Sequence, residues 1–125
     1  MIVLDTNALM MPVECDVRLF EELERVVSES GDYLVPEAVR TELAKLADGA
    51  GKEATAAAVG EDLLARCTVT DTAADYADDA VLELAERDDV THAVTNDKPL
   101  KRRLLDAGVP VISLRGRNKL GITQP

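Results

Sequence analysis

The chain has 125 residues, 46% of them hydrophobic, which suits one domain around one packed core. Its formal net charge of −10 argues against a protein that binds nucleic acid by bulk charge, and no apolar stretch approaches the roughly 18 residues of a membrane span. A single histidine (His92) and two cysteines without metal spacing (Cys15, Cys67) argue against a zinc centre, so a metal site here must be built from oxygen ligands.

"MIVL" (1–4) reads as a buried strand, and the opening is too short and too quickly charged for a signal peptide. Free core thiols and the missing leader pattern predict a cytoplasmic protein with no membrane association. Asp16 is placed to cap a helix with Val17, Phe20, Leu23, Val26 and Val27 on one face. "YLV" (33–35) is a short strand. Pro36 suits the first turn of a helix running to about Ala47, and "DGAG" (48–51) breaks it. An Ala-rich helix follows over about 52–65, with Gly60 as a weak point. "CTVT" (67–70) is a minor strand. Thr72 and Asp75 have capping-box spacing ahead of a helix to about Arg87. "HAVT" (92–95) is a strand, 98–107 a helix and "PVISL" (110–114) a last strand. Met10 and Met11 are expected on a loop or a partner surface. Strands alternating with helices predict an α/β fold: a parallel sheet covered on both faces, with sites beyond the carboxyl ends of its strands.

Asp5 directly follows the first strand, and Asp97 follows "HAVT" and Asn96. Each alone reads as an ordinary turn or helix-capping residue. The helices add two anomalies. Glu42 stands inside the apolar stripe Val39, Leu43, Leu46, facing the core or its margin. Asp78 shares a face with Val81, Leu82 and Ala85, while Asp79 turns toward Glu83 and Glu86. Four acids without an evident basic partner repel one another, and a divalent cation resolves that repulsion. The charge is also uneven. Residues 98–125 hold seven bases and one acid, and residues 1–97 hold seven bases and 23 acids. Lys98, Lys101 and Arg102 share one helical face, Arg103 diverges, and Arg115, Arg117 and Lys119 follow; these are candidate RNA phosphate contacts. The acid excess also suits a salt-rich cytoplasm, with stability expected to rise toward molar salt.

At four points the chain resembles the PIN-domain ribonucleases. "IVLDTNALM" resembles the opening strand, "VPEAVRTELAKL" the helix with an internal glutamate, "YADDAVLELA" the Asp-bearing helix, and "VTNDKPLKRRLLDAGVPVI" the Thr-x-Asp strand end with the elements after it. The last two are most similar to the branch holding the PIN endonucleases of small-subunit ribosomal RNA processing and their archaeal relatives. The resemblance implies one PIN-like domain over residues 1–125, a parallel sheet of four or five strands between helices, and often a homodimer. It implies an acidic site of Asp5, Glu42, Asp78 and Asp97 binding Mg²⁺ or Mn²⁺, with Asp79 as a candidate fifth acid and Asn7 and Thr95 in support. The implied reaction is hydrolysis of single-stranded RNA by in-line attack of water, leaving a 5′-phosphate and a 3′-hydroxyl. RNA processing with a ribosome-assembly partner is the first expected role. The second is a toxin held by an antitoxin, and the third a non-catalytic scaffold binding RNA or protein. A phosphate-accepting receiver domain lacks its acid pair, and a haloacid-type phosphatase lacks the second Asp of Asp-x-Asp, because Asn7 stands there.

Overall fold

A computed structural model describes residues 1–28 and 31–125. The strands are β1 (Ile2–Leu4), β2 (Tyr33–Pro36), β3 (Thr68–Thr70), β4 (His92–Val94), β5 (Val111–Leu114) and β6 (Leu120–Thr123). They form one sheet in the order β3-β2-β1-β4-β5-β6. The first five run parallel, and β6 returns antiparallel on β5 through Ser113 opposite Gly121. This is the expected α/β sheet with one further strand. "Leu-Gly-Ile-Thr" is too short and mixed to announce a strand by periodicity, and its partner decides its state.

Six helices accompany the sheet among the described residues: α1 (Thr6–Glu14), α2 (Leu19–Val26), α3 (Glu37–Ala47), α4 (Gly51–Leu63), α5 (Ala77–Ala85) and α6 (Lys98–Asp106). No helix is expected from sequence between β1 and Asp16, yet α1 forms there despite Pro12 inside it. Asp5 caps α1, its carboxylate oxygen accepting from the Ala8 amide at 2.8 Å. Met10 and Met11 are therefore buried core residues rather than a loop surface. Asp16 does not cap α2. It takes a positive φ of 52°, and the helix starts after Arg18. The Thr72 capping box is also absent: α5 starts at Ala77, and the Thr72 hydroxyl donates to the Ala74 carbonyl. Glu83 instead accepts from the Ala73 and Ala74 amides and pins that loop. Among the described residues, no helix is long and apolar enough to cross a membrane.

The chain's end is anchored by a buried acid. Glu22 accepts from both Arg25 nitrogens and from the Leu120 amide at 2.9 Å, while Arg25 also donates to the Leu120 carbonyl. Arg25 holds the Glu22 carboxyl down to about 2. "RGRNKL" (115–120) thus leads into a strand that is tied to α2.

The core is aliphatic. β1 is completely buried between β2 and β4, with α5 packed against it. α4 packs on α1 and α3 through Ala56, Ala57 and Gly60. Gly60 is a close approach rather than a weak point. A Cβ there would lie 3.1 Å from Leu43 Cδ2 and 3.1 Å from the Leu9 carbonyl oxygen. Gly60→Val should therefore cost about 1–3 kcal/mol through overpacking. A urea midpoint equal to the parent's would contradict this packing account.

Candidate active site

β1 and β4 are parallel neighbours with Leu4 opposite Val94, so the residues after them leave the sheet at one edge. This is also where strand order reverses, the usual place for a site in such sheets. Asp5 follows β1 and Asp97 caps α6 three residues after β4. Both serve as helix caps, as the ordinary reading of each predicts: Asp97 Oδ1 accepts from the Leu100 amide at 2.9 Å. Each cap contact uses one carboxylate oxygen.

Thr95, fully buried at the end of β4, ties these residues together. Its hydroxyl oxygen accepts from the Asp97 amide at 3.0 Å and from Asn7 Nδ2 at 3.5 Å, and it hydrogen-bonds the Asp5 carboxylate. Asn7 Oδ1 accepts from the Asn96 amide, and Asn96 Oδ1 from the Leu114 amide. The ends of β1, β4 and β5 are thereby locked in register with each other. Asn7 and Thr95 thus belong to one hydrogen-bond network at this edge, and Asn96, which the sequence did not single out, belongs to it too.

Asp5, Glu42, Asp78 and Asp97 line one cavity of about 340 Å³. Glu14 and Glu53 line it too, so six carboxylates and no cationic side chain face this space. Glu14 lies at helical spacing from Asn7 and Met10, a signal readable only once α1 is known to be a helix. Of the two placements expected for Glu42, core or margin, the structure shows the margin: it is exposed and reaches the cavity from the rim of α3. Asp78 is half-buried. Asp79 is exposed and pairs with Arg103 at 2.8 Å, and it does not line the cavity.

The electrostatics follow the geometry. Asp5 is 3% exposed, and burial pushes its carboxyl up to about 7, with Asp78 and Asp97 adding repulsion against the Thr95 and Ala8 hydrogen bonds. Asp78 is raised as well, first by burial and then by Asp97 and Glu42. Among the described residues, no three acid, histidine or cysteine side chains converge tightly enough as they lie to grip an ion. The carboxylates surround a space rather than a point, as mutually repelling groups do. The donor set still fits a hard cation: it is all oxygen, and no basic side chain lines the cavity. Thr6 in the same wall has a buried hydroxyl oxygen with no hydrogen-bond partner.

The other predicted contacts divide by occupation. Lys98 and Arg102 are exposed at the start of α6, and Lys101 reaches Ser113 Oγ at 3.4 Å. Arg117 is exposed on the hairpin turn. Arg115 donates to the Ile122 carbonyl, and Lys119 lies 3.8 Å from Glu22, so both also serve the hairpin itself.

Ionising Asp5 costs roughly 4 kcal/mol, taking about 1.4 kcal/mol for each tenfold change in proton affinity from 3.8 to about 7. Because the folded form holds this proton more tightly than the unfolded chain, stability is full below about pH 4. It falls as pH rises to about 7. Asp5→Asn keeps a good cap and removes the charge. In EDTA at pH 8 it should raise unfolding stability by up to roughly 4 kcal/mol, with the gain vanishing near pH 4. A variant less stable than the parent at pH 8 would sink this account.

Comparison with known proteins places the chain in a family. The chain is 30% identical over 117 residues to "Ribonuclease VapC4" of Methanocaldococcus jannaschii, covering 91% of this chain and 89% of that protein. It superposes on the structure of the PIN domain endonuclease Utp24 with a TM-score of 0.80 at 24% identity, over 99% of this chain and 91% of that one, a likeness of fold. The model of the PIN like domain family matches residues 2–117, and the chain belongs to that family.

Proposed function

We propose that the protein is a divalent-cation-dependent endoribonuclease that hydrolyses phosphodiester bonds of single-stranded RNA, in RNA processing. The observation that carries the reading is the cavity of six carboxylates with no base, built at the β1–β4 seam of a PIN-like fold. The ribonuclease relative supports RNA as the substrate.

Asp5, Asp78, Asp97 and Glu42 would hold Mg²⁺ or Mn²⁺, with Glu14 and Glu53 at the margin. When bound, the cation supplies activation of water and stabilisation of charge on the phosphate. The chain's own residues do the rest. Thr95, Asn7 and the two helix caps fix the orientation of Asp5 and Asp97 before substrate arrives. Burial at Asp5 excludes bulk water and strengthens its attraction to a cation. Lys98, Lys101 and Arg102 contact the RNA backbone beside the acids, on the first turns of a helix whose amino end already favours anions. Arg117 extends this track, and Arg115 and Lys119 add charge while holding the hairpin. Homodimer formation would extend the track onto a second copy. Asp79 is outside the ligand set, because Arg103 engages it.

Cleavage of a single-stranded RNA oligomer with Mn²⁺ or Mg²⁺ tests this directly. EDTA should stop the reaction, and Asp5→Asn or Asp97→Asn should each slow it by ~100-fold or more, since each 1.4 kcal/mol of lost transition-state stabilisation is about tenfold. Arg102→Glu with Arg117→Glu should weaken RNA binding and flatten its salt dependence. Cleavage that survives both acid substitutions would remove the assignment.

A further inference from the structure

The chain has three aromatic residues, and two of them are used inside the fold. Phe20 and Tyr33 pack with ring centroids 4.8 Å apart, and the Arg66 guanidinium lies 4.0 Å over Phe20. Tyr76 is different. It is the exposed large hydrophobic side chain among the described residues, 66% accessible, and it stands two residues before Asp78. It lines the acidic cavity and also a neighbouring cavity of about 440 Å³, the two sharing Glu42, Tyr76 and Ala77.

We infer that Tyr76 is a stacking platform for a nucleobase next to the bond that is cut, with that base seated in the neighbouring cavity. The inference rests on the ribonuclease reading above. Charge selects which part of a nucleotide enters. Glu37, Glu42, Asp71 and Asp75 line this second cavity against Lys45 alone, so it repels phosphate and admits the uncharged base. Phosphates are left to the basic α6 side. A flat ring at the boundary between the cavities is what a splayed single-stranded base stacks on, regardless of its sequence. The backbone that carries the ring is held in place beforehand. The Tyr76 carbonyl accepts the Ala80 amide at 2.9 Å, and the loop before it is pinned by Thr72 and by Glu83. Less backbone freedom is then lost on binding.

The test uses the full chain with Mn²⁺ and an oligo(A) eight-mer. Tyr76→Ala should raise KM by roughly tenfold, the loss falling on KM more than kcat, and Tyr76→Phe should stay near the parent. The chain contains no tryptophan, so Tyr76→Trp places a single reporter at the site. Oligo(A) should quench its fluorescence, and an abasic ribose-phosphate oligomer of equal length should not. Parental KM in Tyr76→Ala, or equal quenching by the abasic oligomer, would overturn the platform while leaving the ribonuclease reading intact. An equal KM rise in Tyr76→Phe would point to the hydroxyl and overturn stacking. A change in sedimentation of Tyr76→Ala with parental KM would assign the ring to self-association and likewise overturn it. A parent chain that cuts no RNA would overturn both readings.

Discussion

A carboxyl group is buried at the carboxyl end of the central strand, and the rest of the site is arranged around the cost of that burial. Asp5 sits between β2 and β4 where water is scarce, and five other carboxylates share its cavity. Two local devices reduce the cost: the Ala8 amide and the Thr95 hydroxyl both hydrogen-bond the charged form. They do not cancel it, since the Asp5 carboxyl is still pushed up to about 7. An acid cluster that destabilises its own fold makes sense when a ligand of opposite charge completes it. Such a ligand then stabilises the folded chain by mass action.

The surrounding structure keeps this cluster from neutralising itself. The bases of α6 lie within reach of the site edge, yet Arg103 is committed to Asp79, and Lys101 leans on Ser113. Lys119 and Arg25 are drawn to Glu22 on the far side of the sheet order, under β6.

Much of the architecture was legible because strong local rules coincide there. "MIVL" and "HAVT" are short apolar runs with no other way to be buried, and the acid after each had to emerge at a shared edge once the strands were neighbours. Asp78 was legible because it interrupts an apolar helical stripe. The same argument left Glu42 between the core and its margin: its neighbours Val39 and Leu43 are buried while it reaches the cavity from an exposed rim. A stripe two residues wide fixes a helix face only to within about 100°. α1 was illegible for a different reason. Pro12 and the pair Met10-Met11 carry weak helix signals, and the helix is held by its Asp5 cap and by close packing on α4. β6 depended on a contact across the chain, Glu22 to Leu120, which no local window contains. Glu14, Glu53 and Tyr76 joined the site only through such tertiary placement.

The central claim is that these carboxylates form one cation site. Calorimetric titration of Mn²⁺ into the metal-free chain, with Asp5→Asn and Asp97→Asn alongside, tests it most directly. The account predicts binding by the parent and at least ~10-fold weaker binding by each variant, since every lost carboxylate removes charge from the donor set. Binding of equal affinity in all three proteins, or none in the parent, would contradict it.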